Sequence, residues 1–364
     1  MHYDNTIFFI MRLTDRHIIS YNEAAVLKGL AILAIMLHNF CHKLPGAVLE
    51  NQHFYSAERF NDLIRLVSNA GPHFFINLLS HYGHYGVAVF VFISGYGLAA
   101  KYTDTRQPVS LAGFAAKHAK KLWLLMLPLL VPHFVFMCIK SFAYFDKHAL
   151  DFVLITTFTS GFNPFAYVFH GPWWFFSLIF QLYIVFYLTA YRRSLKPIMT
   201  TTAVCIALQV AATTFGNADA VSYMSRTFVG HMLPFTAGIL FARKKLFPTY
   251  ALSAVLLVLF FVCGANEYTW LLTFALIAVP LTSLAKALPH CGKIHWALLH
   301  TGFLSAFIFV IHPIIRSMTF GMSKHHLYLS IVLYAVLSIA AAALYRLLLT
   351  QSAKMIFRKK ASRA

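Results

Sequence analysis

The stretch VLKGLAILAIMLHNFCHK, residues Val26 to Lys43, is almost entirely apolar, yet it carries a lysine near its start and two histidines at its end. An apolar run of roughly 17 to 25 residues is long enough to cross about 30 Å of hydrocarbon as a helix. We therefore predict a membrane-spanning helix over residues 24–40. Ionisable groups are costly inside a bilayer, so those of this helix are candidate functional residues.

The same pattern recurs along the whole chain. Of its 364 residues, 59% are hydrophobic and 11% charged, whereas a soluble domain has about 25% charged residues. We predict an all-α, polytopic membrane protein whose single transmembrane domain covers residues 24–350, between an N-terminal segment, 1–23, and a basic tail, 351–364. The spans, about ten, are predicted at residues 24–40, 83–100, 121–139, 172–191, 197–215, 227–242, 248–264, 268–285, 302–320 and 327–349.

The charged residues predict the orientation. The chain has 30 Lys and Arg against 11 Asp and Glu, a net charge of +19, and the basic residues cluster after every even-numbered span. The alternate connections, such as 217–225, contain few or none of them. The positive-inside rule therefore predicts that both termini are cytoplasmic. We attribute the excess charge to this topology and to an anionic cofactor, and we predict no nucleic-acid partner.

Lys28 and His38 lie at opposite ends of the first span. They are ten residues apart, about 15 Å along a helix, so they belong to different sites. Near the cytoplasmic face, Lys28 either reaches the headgroups as an anchor or binds a phosphate. Near the external face, His38 is either an interfacial histidine with a backbone partner or a neutral imidazole, the form that a general base needs.

Two further interpretations of His38 concern its neighbours. His38, Cys41 and His42 share a helix face and offer ligand atoms for a metal, but no further ligand set is apparent, so we predict no metal site. The predicted spans contain no Asp or Glu well inside, so any carboxylate partner of His38 comes from outside them. The acidic residues available there are Glu50, Glu58, Asp62, Asp151, Asp219 and Glu267.

Polar side chains in three other spans are candidates for a polar cavity, because hydroxyl, amide and imidazole groups need partners in a dry interior. The tryptophan among them also fits an aromatic belt at the membrane surface. These residues are Ser94 and Tyr96 in the second span, Trp174, Gln181 and Tyr183 in the fourth, and His312 in the ninth.

Taken in order, these segments resemble the acyltransferase-3 family of multi-pass bacterial membrane acyltransferases, over most of the chain. The motifs that carry the resemblance are Lys28, Gly29, Ala31 and His38; Gly86 to Tyr96; Lys117 to Pro128; Trp174 with Gln181 and Tyr183; and Gly302, Ser305 and His312. The family often has an arginine about eleven residues before the histidine, whereas Lys28 stands ten before it here.

The resemblance implies a function in the bacterial cytoplasmic membrane. The family's catalytic histidine falls on His38, and the implied reaction is O-acylation of a cell-surface polysaccharide or its lipid-linked precursor by acetyl-CoA or another acyl-CoA. We expect no permanently bound cofactor, and membrane lipid, acyl-CoA and the glycan as partners.

Two sets of residues receive roles under this hypothesis. We expect Ser94, Tyr96, Trp174, Gln181, Tyr183 and His312 to shape the cavity or stabilise the oxyanion. We expect Lys28, Lys117, Lys120 and Lys121 to bind the CoA phosphates, with membrane topology as their alternative role.

Two other functions remain open from the sequence. A carrier or flippase of lipid-linked saccharides would need no acyl-CoA and would tolerate a neutral residue at position 38. A sensor or scaffold leaves the polar positions in spans one, two, four and nine unexplained.

Overall fold

The computed structural model describes residues 18–103, 108–162 and 171–361, and within them all regular structure is helical. The α-helices are α1 (Tyr21–Cys41), α2 (Ala57–Ser68), α3 (Phe74–Tyr82), α4 (Tyr85–Tyr102), α5 (Leu111–Lys140), α6 (Phe142–Thr156), α7 (Trp174–Thr189), α8 (Lys196–Thr214), α9 (Ala218–Ser225), α10 (Phe228–Lys244), α11 (Tyr250–Gly264), α12 (Thr273–Leu276), α13 (Ala278–Ala287), α14 (Lys293–Thr319) and α15 (Leu327–Ala361).

The all-helical, multi-pass architecture agrees with the sequence prediction, but the number of long spans differs. Within the described ranges, eight helical segments are long and apolar enough to cross a membrane. They are Tyr21–Cys41, Tyr85–Tyr102, Leu111–Lys140, Gly171–Thr189, Lys196–Thr214, Trp270–Ala287, Lys293–Lys324 and Leu327–Ser352.

The sixth and seventh predicted spans are shorter helices. Helix α10 has 17 residues, with Pro234 inside it and two basic residues in its last turn. Helix α11 has 15 residues, about 22 Å at 1.5 Å per residue, which is shorter than the hydrocarbon layer. The cytoplasmic location of the termini stays a prediction, and much of the segment 1–23, Arg106 and the end of the basic tail lie outside the described residues.

One predicted loop is helical. The sequence places Lys117 and Lys120 before the third predicted span, 121–139, but both lie, with Lys121, inside α5, which begins at Leu111. The Ser110 side chain accepts a hydrogen bond from the Gly113 N–H, 3.1 Å away, and caps the start of that helix. The alanines and lysines that follow are good helix formers, so the helix extends well beyond the apolar run.

Helix α1 is central because it packs closely against α14 on one side and α4 on another. A Cβ atom at Gly29 would overlap the Leu298 carbonyl oxygen, and one at Gly302 would overlap that of Ala25. Only glycine at both positions allows the two backbones to approach this closely, as in other membrane helix pairs. At the start of α1, Ser20 and Glu23 form a capping box.

The connection after α1 folds back over the end of that helix. The Ser80 hydroxyl of α3 donates a hydrogen bond to the Val48 carbonyl at 2.7 Å, and the His81 imidazole lies 2.8 Å from the Leu49 carbonyl. These bonds fix residues 48–50 against α3. Glu50 is thereby held over the carboxyl end of α1, where His38 lies.

Candidate active site

A cavity of about 470 Å³ opens at the carboxyl end of α1. Five parts of the chain supply its walls: the last turns of α1 and the connection after it, the junction of α3 and α4, the first turn of α7, the end of α9, and α14. His38 lines it, although only 3% of this residue is exposed. The cavity thus brings together residues that are up to 281 positions apart in the sequence, from Ile35 to Arg316.

The His38 ring is oriented by a backbone carbonyl. Its Nδ1 lies 2.8 Å from the Ser80 carbonyl oxygen, which has no proton to give, so Nδ1–H is the donor. In the neutral ring Nε2 is then the unprotonated nitrogen. This assignment follows from the hydrogen-bond network. It leaves a lone pair on Nε2, as a general base requires.

Two side chains surround that lone pair. His42, one turn further along α1, places its Nδ1 3.1 Å from His38 Nε2, so His42 donates a hydrogen bond to it. Glu50 places Oε1 3.9 Å from His38 Nε2 and 3.8 Å from His42 Nδ1. These distances are too long for hydrogen bonds, but a carboxylate this near stabilises a positive charge on either ring.

Glu50 lies outside the membrane-spanning helices and has an unusual environment. Burial raises the pKa of its carboxyl group above the usual range, and the charges of Arg59 and Lys43 offset part of that effect. Arg59 also donates to the Glu50 backbone carbonyl at 2.8 Å. Among the acidic residues considered from the sequence, Glu50 is the one that the structure places beside His38.

The same three side chains form a donor set that suits a metal ion. His38 Nε2, His42 Nδ1 and Glu50 Oε1 all lie within 4.8 Å of one another, and two imidazoles with one carboxylate are a known zinc ligand set. Cys41, which shares a helix face with the histidines, is buried in the hydrophobic core instead. The absence of a bound metal stays a prediction.

Two further histidines line the cavity. His84 Nδ1 donates to the His81 carbonyl at 2.8 Å, and its Nε2 is buried without a partner. His53 has its Nδ1 3.1 Å from the Ser225 hydroxyl. Burial, together with the charge of Arg226, lowers the pKa of His53 to about 3. His53 is therefore neutral and contributes polar groups without charge.

An aromatic wall completes the cavity. The Trp174 ring lies edge-on to the His53 ring, with centroids 5.8 Å apart, and Phe175 packs against Phe309 at 5.1 Å. Trp174, Phe175 and Phe309 all line the cavity. The site thus combines an apolar face, of the kind that small-molecule sites use, with a few convergent polar groups.

Of the residues predicted to shape a cavity, Trp174 lines this one and the others lie elsewhere. The Tyr96 hydroxyl accepts a hydrogen bond from the Ile19 N–H at 2.9 Å, near the start of α1. Gln181 accepts one from the Phe228 N–H at 3.1 Å. The hydroxyl contact explains the burial of Tyr96 without a ligand, whereas Gln181 Nε2 is buried and has no hydrogen-bond partner among the described residues.

The remaining members of that set are also outside the cavity walls. Tyr183 is buried against the His118 ring of α5, with centroids 4.5 Å apart. Ser94 is half-buried in α4. His312 is completely buried, and within the described part of the chain neither of its ring nitrogens has a hydrogen-bond partner.

The basic residues predicted for the donor lie apart from His38. Lys28 is half-buried in α1, and no carboxylate in the described part of the chain pairs with it. Lys117 and Lys120 are exposed on α5, and Lys121 is half-buried there. None of the four lines the His38 cavity, so the structure keeps the two predicted sites separate.

Several cavity residues are not among the predicted site residues, for example His53, His84, Arg226 and Arg316. His53 and Arg226 lie in connections whose folding no periodicity reveals. Arg316 had a signal, since it is an arginine inside the predicted span 302–320, where a charge is costly.

The fold and the histidine-centred cavity define a multi-pass membrane protein with a candidate catalytic site. Residues 22–347 match the profile of the acyltransferase-3 family, described as an acyltransferase domain. The match covers nearly the whole chain, so the chain belongs to this family and is a membrane acyltransferase. No curated protein and no solved structure matches it.

Proposed function

We propose that this protein is an O-acyltransferase of the bacterial cytoplasmic membrane. It transfers an acyl group, expected to be acetyl, from acyl-CoA to a hydroxyl of a cell-surface polysaccharide or its lipid-linked precursor. The observation that supports this reaction best is the environment of His38. Its Nδ1–H is held by the Ser80 carbonyl, and its Nε2 lone pair is directed towards a cavity.

The reaction begins with the removal of a proton. As His38 Nε2 accepts the proton of the acceptor hydroxyl, the hydroxyl oxygen attacks the thioester carbonyl carbon and a C–O bond forms. The C–S bond then breaks, and the proton passes from Nε2 to the sulfur of CoA. Positioned proton transfer of this kind contributes roughly 10²- to 10⁴-fold in rate.

His42 and Glu50 assist this proton transfer. At rest the His42 Nδ1–H occupies the His38 lone pair at 3.1 Å, so the acceptor hydroxyl must displace it. Glu50 Oε1, 3.8 Å from His42 Nδ1, is the acceptor to which that N–H turns. The Glu50 carboxylate then also faces the imidazolium that forms at His38, and their attraction stabilises it.

The donor is assigned to the opposite end of α1. Lys28, half-buried and without a carboxylate partner among the described residues, is the proposed contact for a CoA phosphate, with the α5 lysines as further contacts on that side. The bound acyl-CoA must therefore extend about 15 Å along α1, so that its phosphate contacts Lys28 while its thioester reaches His38.

The test compares acyl transfer by His38→Ala and wild-type protein. Membranes containing equal amounts of each protein are incubated with labelled acetyl-CoA and glycans from the same cell envelope. We expect the variant to lose at least about 100-fold in transfer rate. The matched control is His326→Ala, since His326 is an exposed histidine outside the cavity, and it should behave as wild type.

Two results would contradict the proposal. Unchanged transfer by His38→Ala would exclude this residue as the base. No transfer by the wild-type protein to any glycan of the envelope, with translocation of lipid-linked saccharide that survives His38→Ala, would favour the carrier.

A further inference from the structure

The cavity beside His38 has an excess of positive charge. Three cationic side chains, Lys43, Arg226 and Arg316, line it together with one carboxylate, that of Glu50. His53, one of the histidines that line the cavity, is neutral because burial lowers its pKa to about 3. Two of the three cations are arginines, which keep their charge at any physiological pH.

Arg316 carries one of these positive charges and lies close to His38. It is half-buried in α14, and its Nη1 donates to the carbonyl oxygen of Asn39 at 2.9 Å and to the side-chain oxygen of that residue at 3.3 Å. Asn39 is the neighbour of His38 in α1. No carboxylate in the described residues pairs with Arg316.

Arg226 brings the second charge from another wall. It follows the last residue of α9, and its Nε donates to the Ser222 carbonyl at 3.2 Å. It lines the cavity together with His53, and its charge contributes to the lowered pKa of that ring. Like Arg316, it forms no salt bridge with any described residue.

A structural role explains part of this arrangement. Each arginine donates to a carbonyl in the last turn of a helix, where carbonyls lack partners within the helix and the dipole favours a cation. A guanidinium has five N–H donors. In the described part of the chain, the hydrogen bonds of each arginine use only one nitrogen. A half-buried guanidinium without a counter-charge is unfavourable, and an anion on a ligand would supply that charge.

We propose that the cavity binds the acceptor through an anionic group, a carboxylate or a phosphate, held by Arg316 and Arg226. Both anions present paired oxygens that match the guanidinium fork. The acceptor hydroxyl then lies at His38 Nε2, the unpaired His84 Nε2 accepts a second hydroxyl, and the sugar ring packs on Trp174. That this ligand is an acyl acceptor rests on the proposed function.

Two kinds of acceptor carry such an anionic group. One contains an acidic sugar within the glycan, and the other is linked to a polyprenyl carrier through a diphosphate. The experiment measures binding to purified protein, without acyl-CoA, for three ligands. These are a neutral oligosaccharide, the same oligosaccharide with one uronic acid, and the neutral oligosaccharide on a polyprenyl diphosphate. We expect at least one anionic ligand to bind about tenfold or more tightly than the neutral one, and the preferred ligand identifies the source.

Variants separate charge recognition from structure. Arg316→Gln and Arg226→Gln should each lower the ratio of anionic to neutral affinity by about tenfold. Arg316→Lys, which keeps the charge but lacks the fork, should lower it less. The control is Arg65→Gln, since Arg65 is exposed, paired with Asp62 and outside the cavity, and its ratio should equal that of wild type.

The outcomes distinguish this inference from the proposed function. Equal affinity of the wild type for all three ligands, or equal loss of neutral and anionic binding in the variants, would overturn the anion site. If Arg316→Gln does not fold, the ratio of anionic to neutral affinity can still be measured with Arg226→Gln and Arg316→Lys. Anion-selective binding with no acyl transfer to any ligand would overturn the acyltransferase proposal and leave the anion site intact.

Discussion

The Ser80 carbonyl oxygen, 2.8 Å from His38 Nδ1, orients the ring of the proposed base. Ser80 lies in the last turn of α3, where carbonyl groups lack partners within the helix. That end of the helix also carries partial negative charge, which favours a positive ring. The site on α1 therefore depends on the position of α3.

A substitution at Gly83 tests whether the site on α1 depends on the position of α3. A Cβ atom there would lie 2.6 Å from the His38 Cβ and 2.6 Å from the Ala34 carbonyl oxygen. Gly83→Ala should therefore separate α1 from the junction of α3 and α4, at a cost of about 1–3 kcal/mol. We expect a lower unfolding temperature in detergent and at least about tenfold slower acyl transfer, since a base needs hydrogen-bond geometry.

Gly71→Ala is the control for that experiment. A Cβ at Gly71 has no neighbouring atom within 4 Å, so this variant should match the wild type in both measurements. An unaltered Gly83→Ala protein would show that the α3–α4 junction does not fix His38.

The raised pKa of Glu50 predicts that the stability of the protein depends on pH. Because burial raises its pKa above the usual 4.5, the folded protein holds this proton more tightly than the unfolded chain. The destabilising effect of the carboxylate is absent below about pH 4 and grows as the pH rises through the raised pKa. Glu50→Gln should therefore unfold at a higher temperature than wild type at pH 7, and the difference should vanish near pH 4.

The same substitution should reduce catalysis. The amide carries no charge to face the imidazolium, so transfer at pH 7 should fall by about tenfold or more. In the wild type, the rate of acyl transfer should decline as acidification protonates Glu50. Glu50→Gln should not show this decline. The charged and titratable groups facing Glu50 are His38, His42, Lys43 and Arg59. A variant as active as wild type would remove Glu50 from the mechanism.

The proposed role of Lys28 is tested by measuring how the protein uses its acyl-CoA donor. If it contacts a CoA phosphate, Lys28→Gln should raise KM for acetyl-CoA by about tenfold, because a charge-assisted hydrogen bond is lost. KM for the glycan should not change. Lys120→Gln, which removes an exposed lysine of α5, should have a smaller effect. Equal kinetics of Lys28→Gln and wild type would favour the anchoring role.

Metal removal tests the donor set of His38, His42 and Glu50. We expect chelator-treated protein to keep its acyl-transfer rate, because the base needs its lone pair free and because three cationic groups against one carboxylate line the cavity, disfavouring a divalent ion. Loss of transfer on chelation, with recovery on adding Zn²⁺, would show that the three residues are ligands.

The apolar runs predicted the helices well, because spanning a bilayer needs a length and composition that are visible in the chain. They predicted the site less well. His38 was found because an ionisable group in an apolar run is conspicuous. The polar residues of the second, fourth and ninth spans were equally conspicuous, but Tyr96, Gln181 and Tyr183 have partners within the bundle.

The sequence by itself determined that the chain is a helical membrane protein and that Lys28 and His38 lie at opposite ends of one helix, because a constant rise per residue fixes their separation. Only the tertiary structure decided what surrounds His38. Glu50, Arg226 and Arg316 lie on separate segments. Their approach depends on helix packing and on the fold of the connection after α1, which periodicity does not encode.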